Sequence, residues 1–182
     1  MYRPAALVLG FAVLIGGCKM PSEKPPEKLE EFTSKEWKFK VKFPGKPEVK
    51  QQKAGTKQVQ VQITMFMKTF DDESYMIGVA DFPMQHEPSP IETQIALEAS
   101  RDGAIANVKG TLESSKSVLL QGRYQGMEII AKLPPDGPPD GQLRGRIYIV
   151  GKRQYQILVV GTATTIKNAR ANEFLESFQV TD

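Results

Sequence analysis

The chain offers few side chains that could do chemistry. Among its 182 residues, Cys18 is the only cysteine and His86 is the only histidine. An internal disulfide, a cysteine-based zinc cage and a site with several histidines are therefore excluded. His86 lies in the proline-containing segment 84–90 without a neighbouring partner in sequence, and we interpret it as an exposed loop histidine. The chain also lacks a nucleophile elbow, a Walker loop and a dinucleotide-binding glycine motif.

A group of adjacent acids and a group of methionines contain atoms that could bind a metal ion or act in catalysis. Neither group has the spacing that such a site requires. Asp71, Asp72 and Glu73 follow one another, whereas catalysis by two carboxylates needs a fixed separation across a cleft. We interpret them as a solvated turn, with loose calcium binding as the alternative. A set of soft ligands for Cu(I) would consist of Met65, Met67, Met76, Met84 and His86. Because methionine more often fills irregular cores, the sequence predicts no metal, no cofactor and no catalytic residue.

Three lysines alternate with apolar residues in the segment 37–43. Every odd residue of this segment is apolar, and the even residues are Lys38, Lys40 and Lys42. Strict alternation indicates a strand with one buried face, so the lysines are expected to form a basic ridge on the other face. Lysine on an edge strand also blocks pairing between molecules. Contact with anionic headgroups or wall polymers is the second role that we consider for this ridge.

The charge balance narrows the class of partner. The formal net charge is +3, and basic residues are interleaved with acidic ones. A dedicated nucleic-acid-binding protein usually concentrates lysine and arginine in one strong patch, so we expect no nucleic acid as a partner. Arg144 and Arg146 either extend the basic ridge or are simply solvated.

The first eighteen residues carry the most specific pattern of the sequence. Arg3 gives a positively charged start, and the uncharged, mostly apolar segment 5–17 follows it. As a helix, that segment would be about 20 Å long, which is short of the ~30 Å hydrocarbon core of a bilayer. The pattern predicts a secretory signal peptide over residues 1–17. Its end, Leu-Ile-Gly-Gly followed by Cys18, resembles the lipobox of bacterial lipoprotein signal peptides.

This resemblance implies a lipid anchor. Cys18 would receive a diacylglyceryl group on its sulfur, the signal peptide would be cut before it, and the new amine would be acylated. Two or more acyl chains hold a protein stably at a bilayer. We therefore expect a lipid-anchored protein of the cell membrane or outer membrane, with its domain outside the cytoplasm. Its expected partners are the membrane, which the lipid contacts, and an envelope protein or polymer. Lys19 follows the cysteine, and it favours the outer membrane only if the enterobacterial sorting rule applies.

A tether and one domain follow the anchor. Residues 18–34 contain three prolines and many charges, which favour an extended tether, although a short helix at 27–32 is an alternative. The length of the segment 35–182 predicts a single globular domain. Strands are predicted at 37–43, 48–53, 58–69, 75–82, 112–120, 124–132, 143–150 and 155–161.

Two helices complete the predicted domain. One begins at Ser89, where Pro90 and Glu92 complete a capping box. Its buried stripe is expected to contain Ile91, Ile95 and Ala99, with Leu97 as a further candidate. The other covers residues 165–178, with its apolar side formed by Ala169, Phe174, Leu175 and Phe178. Hairpin-length connections imply an α+β fold in which two helices pack on an antiparallel sheet of about six to eight strands.

Three signatures resemble the PsbP-like α/β/α sandwich. They are the opening strand that runs into the Phe-Pro-Gly-Lys-Pro sequence at 43–47, the hairpin from Arg146 to Tyr155, and the closing segment 174–178. The first also resembles an element of uncharacterised envelope lipoproteins. PsbP-like proteins are mostly binding or accessory factors, so the resemblance implies a non-catalytic domain.

Two alternatives to a non-catalytic envelope domain stay open. A carrier would hold an apolar small molecule in a cavity between sheet and helices, lined by Met65, Met67, Met76 and Met127. An enzyme would need a site built from scattered Asp, Glu, Arg and Tyr residues.

Overall fold

The alternating segments form two antiparallel sheets and two helices. A computed structural model describes residues 25–26, 28–55, 60–135 and 140–181, so Cys18 and the predicted signal peptide lie outside the described residues. The helices are α1 (Pro90–Asn107) and α2 (Ala169–Ser177), and a 3-10 turn, Thr165–Lys167, precedes α2. The strands are β1 (Glu30–Ser34), β2 (Phe39–Phe43), β3 (Glu48–Gly55), β4 (Gln60–Thr69), β5 (Ser74–Asp81), β6 (Thr111–Leu120), β7 (Tyr124–Lys132), β8 (Gly141–Val150), β9 (Arg153–Thr162) and β10 (Gln179–Val180).

The larger sheet has seven strands in the order β3-β4-β5-β9-β8-β7-β6. All neighbouring pairs are antiparallel. β9 lies in the middle of this order, and six consecutive residues of it are buried. A strand buried on both faces is apolar at successive positions, which explains the run Ile157, Leu158 and Val159. The predicted α+β class, with two helices on an antiparallel sheet, is confirmed.

The two faces of the larger sheet are covered differently. α1 packs against β7 and β8 on one face, where Leu97 and Ala104 join a core with Ile63, Ile129 and Leu143. The other face meets α2 and a three-stranded sheet of order β1-β2-β10. Aromatic rings fill this second interface, and the closest centroid pairs include Phe39–Phe66 at 5.2 Å and Phe43–Phe174 at 5.1 Å.

The folded domain begins earlier than residue 35, the predicted boundary. Residues 30–34 were expected to end the tether or to belong to a short helix, but they form β1, which pairs antiparallel with β2 from Glu30↔Phe43 to Ser34↔Phe39. Phe32 is half-buried and its ring lies 5.4 Å from that of Phe66. Phe66 is far from Phe32 in sequence, so the contact that stabilises β1 as a strand forms only in the folded domain.

β2 is an inner strand, not the edge strand considered above. It lies between β1 and β10, so its lysines do not guard a free edge. β2 also starts only at Phe39, because Lys38 has a left-handed backbone with φ of 49° and lies in the preceding turn. Lys38 is therefore not part of the strand face that carries Lys40 and Lys42.

The predicted capping box of α1 is present, and its predicted buried stripe is confirmed at Leu97 but wrong for Ile91 and Ile95. Ser89 accepts from the backbone of Glu92, and the Glu92 side chain accepts from the backbone of Ser89. Ile91 and Ile95 are nevertheless 75% and 49% exposed. Leu97 faces the sheet as expected, and Thr93 and Ser100 face it in place of the two isoleucines. The Ser100 hydroxyl donates to the buried amide oxygen of Gln154 at 2.7 Å. The hydrogen bond to Gln154 thus helps to determine which face of α1 packs on the sheet.

The closing helix is shorter than predicted. Asn168 has an extended backbone and caps α2 by accepting from the backbone of Ala171 at 2.7 Å. This break separates the 3-10 turn from α2, leaves Ala169 exposed and buries Ala171. Phe178, which was placed on the helix, follows its last residue and is buried. None of the helices among the described residues is long and apolar enough to span a bilayer.

Replacing the cap of α2 should lower stability. In an Asn168→Ala variant, the amide of Ala171 loses its acceptor at the start of the helix, and we expect the free energy of unfolding to fall by about 1 kcal/mol. Urea denaturation measures the change. Asn168→Asp keeps an acceptor at the same position and should stay close to the original; equal losses in both variants would contradict the capping role.

Candidate functional site between strand β2 and helix α2

An open groove of about 560 Å³ runs between the outer face of the three-stranded sheet and α2. Its floor is β2, with one residue of β1 and one of β10 beside it, and its wall is α2. The lining residues are Glu31, Lys40, Val41, Lys42, Ala169, Asn172, Glu173, Glu176, Ser177 and Gln179. Most of them are polar or charged and the groove is open to solvent, so it is a surface feature and not an enclosed apolar cavity.

Alternation along β2 places its two lysines in the groove. Phe39, Val41 and Phe43 are buried against the larger sheet. Because successive side chains of a strand point to opposite faces, Lys40 and Lys42 lie on the outer face. This part of the predicted basic ridge is confirmed.

α2 neutralises one of these lysines. Lys42 Nζ lies 2.6 Å from the Glu173 carboxylate, and the backbone amide of Lys42 donates to the Ser177 hydroxyl at 2.9 Å. Both side chains of the ion pair are about half exposed, so the pair contributes little to stability. The two contacts hold the C-terminal half of α2 over β2. The ion pair also neutralises Lys42, so this lysine adds no net positive charge to the surface.

Three charged groups of the groove have no partner among the described residues. Lys40 on β2, Glu31 on β1 and Glu176 on α2 make no ion pair there. The register pairs Glu31 with Lys42 and Thr33 with Lys40, so the acid and the free lysine occupy neighbouring positions of one sheet face. The groove therefore offers both a positive and a negative contact to a ligand.

A buried ion cluster holds α2 and the turn before it on the larger sheet. Glu128 of β7 is buried and accepts from Arg146 at 2.7 Å and from Lys116 at 3.1 Å, with Arg144 3.4 Å away. Register places Lys116, Glu128 and Arg146 directly opposite one another on three adjacent strands. The cluster lies behind the groove, on the face that α2 covers.

The two arginines of this cluster also bind the elements above them. Arg146 donates to the backbone oxygen of Leu175 in α2 at 3.3 Å. Arg144 donates to the backbone oxygen of Ile166 at 3.2 Å and to the side chain of Asn172 at 2.6 Å. Arg144 and Arg146 therefore neither extend the basic ridge nor lie solvated. Burial alone would raise the pKa of Glu128, but hydrogen bonds from Arg146 and Lys116 and the charge of Arg144 lower it below its usual range.

Glu128 is a functional candidate that no sequence motif identified, although one signal pointed to it. An acid stands among the apolar residues of 127–131, and two arginines are spaced by two residues on the neighbouring strand. Both features are typical of a buried ion pair between strands. The acids Glu173 and Glu176 of the groove carried no such signal, because their importance depends on where α2 packs.

The acidic turn contains a second buried carboxylate. Asp71 and Asp72 are exposed, but Glu73 is buried and pairs with Arg170 of α2, so interpreting all three as a solvated turn was wrong for Glu73. Arg170 also donates to the hydroxyl of Tyr75 at 3.0 Å. Burial raises the pKa of Tyr75 to about 12, against the lowering effect of the Arg170 hydrogen bond. This pair anchors the N-terminal end of α2.

The remaining predicted ligands do not converge. His86 is exposed and its Nδ1 lies 3.0 Å from the backbone oxygen of Glu87, whereas Met65 and Met76 are buried in the core under α1. No group of three or more His, Cys, Asp and Glu side chains within the described ranges could hold a metal ion.

The methionines of the carrier alternative lie in packed regions. Met65, Met76 and Met127 are buried in the core under α1, and Met67 packs against it. None of them lines the groove described above or a second groove of about 430 Å³ between Glu113, Lys132 and Thr164.

A solved structure has the same architecture. Cyanobacterial PsbP (CyanoP) from Synechocystis sp. PCC 6803 superimposes with a TM-score of 0.59 over 91% of this chain and 98% of that chain, at 8% sequence identity. The chain has a PsbP-like fold. At this identity the similarity establishes the fold alone. No protein-family model matches the chain, and no curated protein matches it.

Removing the buried carboxylate behind the groove should destabilise the domain. A Glu128→Gln variant leaves two largely buried arginines without their counter-charge, and we expect it to lower the free energy of unfolding by about 3 kcal/mol at pH 7. Since the pKa of Glu128 is lowered in the folded state, its contribution is present above the carboxylate range and is lost as pH falls through it. Urea denaturation at pH 7 and pH 3 tests this. Glu36→Gln, on an exposed turn, is the matched control, and a similar loss in both variants would contradict the role of the cluster.

The raised pKa of Tyr75 predicts a loss of stability in alkali. The unfolded chain releases this proton near pH 10, but the folded chain holds it until about pH 12. The contribution of Tyr75 is therefore complete below pH 10 and is lost as the pH rises to 12. We expect Tyr75→Phe to make the fall in unfolding free energy over this interval shallower. Tyr124→Phe is the control, and an unchanged slope for Tyr75→Phe would rule out this assignment.

Proposed function

We propose that this protein is a lipid-anchored lipoprotein of the bacterial cell envelope whose domain binds another envelope component without catalysing a reaction. The observation that supports binding is the groove between β2 and α2, where Lys40, Glu31 and Glu176 have no ion-pair partner within the part of the chain that the structure describes. The anchor rests on the lipobox-like sequence before Cys18. The proposed domain faces the periplasm or the exterior.

The groove has the charge of a binding surface. Among the described residues, two acids and one lysine that line the groove have no ion-pair partner, and they favour a ligand that carries both signs, such as a polar protein segment or a zwitterionic wall polymer. A purely anionic surface fits less well, because Glu173 neutralises Lys42 and Lys38 lies in the turn. Of the three lysines predicted to contact anionic headgroups, Lys40 is therefore the one that we retain for this role. Lys38 lies beside the strand, in the preceding turn.

The groove lies close to the proposed anchor along the chain. β1 starts at Glu30 and contributes Glu31 to the groove. A fully extended chain spans ~3.3–3.6 Å per residue, so the segment from Cys18 to Glu30 reaches about 40 Å at most. An anchored domain would therefore keep this groove near the bilayer surface.

Mass spectrometry of the mature N-terminus tests the anchor. We expect the chain from its native envelope to begin at Cys18 and to carry the mass of a diacylglyceryl group and a further acyl chain. A Cys18→Ser variant should keep its leader and lose the lipid. An unlipidated mature chain that still fractionates with membranes would contradict the proposal.

Charge reversal in the groove tests the binding surface. Crosslinking in intact envelopes should capture a reproducible partner with the original chain, and the doubly substituted Lys40→Glu, Glu176→Lys variant should reduce that capture at least fivefold. Lys53→Glu, on the distant edge strand β3, is the control and should capture normally. Equal capture by all three chains would remove the groove from the proposal.

A further inference from the structure

β6 ends the larger sheet and is exposed along almost its whole length. Eight of its ten residues are exposed, including Leu119 at 61% and Leu112 at 39%. β6 is paired with β7 on one side and is the last strand in the order of the sheet. An antiparallel edge strand directs the backbone N–H and C=O groups of about half its residues outward, where another strand can bind them.

β6 is less protected than the opposite edge of the same sheet. β3 carries three charged residues in eight, Glu48, Lys50 and Lys53, which is the usual defence of an edge against pairing. β6 carries only Glu113 and Lys116 in ten residues, and it has no proline. Three of its residues are serines, whose short side chains cover little of the neighbouring backbone. A bulge between Leu112 and Ser114 interrupts it near one end.

The register with β7 assigns the side chains of β6 to two faces. Leu112, Ser115, Ser117 and Leu119 lie opposite Ala131, Ile129, Met127 and Gln125, and these alternate residues of β7 share one face. Lys116 lies opposite Glu128, on the other face. Glu128, its partner on β7, is three residues from Gln125 and three from Ala131, which lie opposite Leu119 and Leu112. Lys116 is therefore midway between the two leucines along the strand.

Lys116 has room for a second acid. Its Nζ lies 3.1 Å from the Glu128 carboxylate on the inner side, and 67% of its side chain is exposed. Glu128 is already paired with Arg146. An acidic side chain that approaches Lys116 from outside the sheet would therefore meet an available cation.

We propose that β6 binds an extended segment of a partner protein that adds one strand to the sheet. The segment has an acidic residue opposite Lys116 and apolar residues three positions before and after it, opposite Leu112 and Leu119. This pattern, apolar-x-x-acid-x-x-apolar, is the same in both directions. Lys116 and the two leucines therefore specify the composition of the bound segment and its register on β6, but not whether it runs parallel or antiparallel to β6. The surface is separate from the groove between β2 and α2 and does not depend on the lipid anchor.

A second copy of the chain fits β6 less well. Two β6 strands in antiparallel pairing that set Leu112 against Leu119 would set Lys116 against Lys116, and like charges directly opposite are unfavourable. The same lysine that disfavours self-pairing favours an acidic partner.

Binding of short peptides to the full-length chain tests the proposal. The probe is the blocked peptide acetyl-Thr-Val-Thr-Thr-Glu-Thr-Thr-Val-Thr-amide, and its charge-swapped form has lysine in place of glutamate. A third peptide has prolines on both sides of the glutamate, which removes backbone donors. Affinities are measured by calorimetry, and amide chemical shifts locate the bound peptide.

The proposal predicts a reciprocal pattern. The glutamate peptide should shift amides of β6 and bind about fivefold more weakly to Lys116→Glu, whereas the lysine peptide should prefer that variant. The proline peptide should not bind, and Lys50→Glu on β3 should behave like the original chain. Absence of binding, shifts outside β6, equal affinities for both peptides, or a concentration-dependent dimer through β6 would each overturn it. The groove variant Lys40→Glu, Glu176→Lys should bind these peptides normally, which separates this test from that of the proposed function.

Discussion

The position of α2 on the larger sheet depends on the buried carboxylate of Glu128. A carboxylate removed from water is costly unless it is paired and hydrogen-bonded, and here Arg146 and Lys116 satisfy it from the two neighbouring strands. The arginine that pairs with it continues to the backbone of α2. One charge therefore links three strands of the sheet to the helix that forms the wall of the groove, and the outer charges of α2 can face solvent because its inner side is fixed.

The aromatic interface gives the same arrangement its apolar support. Phe39 and Phe43 of β2 pack against Phe66 and Phe174 from the larger sheet and α2. Burial of such rings supplies most of the favourable free energy of an interface of this kind. Because β2 must turn its phenylalanines inward, its lysines have no alternative to the outer face. The groove is thus a consequence of how the core is filled.

The two proposed binding surfaces differ in what the fold leaves unsatisfied. In the groove, the unsatisfied groups are side-chain charges on the outer face of a small sheet. Along β6, they are backbone donors and acceptors at the end of a large one. The PsbP-like architecture explains why both exist together: the helices and the small sheet cover the middle strands of the larger sheet, and the side chains of β6 remain largely exposed.

The sequence by itself determined the alternation that forms most strands, the capping box of α1 and the outward position of Lys40 and Lys42, because each depends on neighbours within a few residues. The tertiary structure alone decided that β1 is a strand, that Thr93 and Ser100 of α1 face the sheet in place of Ile91 and Ile95, and that Glu73 and Glu128 are buried. These outcomes depend on partners far along the chain, such as Phe66, Gln154, Arg170 and Arg146. Local patterns record which side of an element is apolar, but burial of a polar or charged group is decided by the partner that satisfies it, and that partner is defined only when the chain has folded.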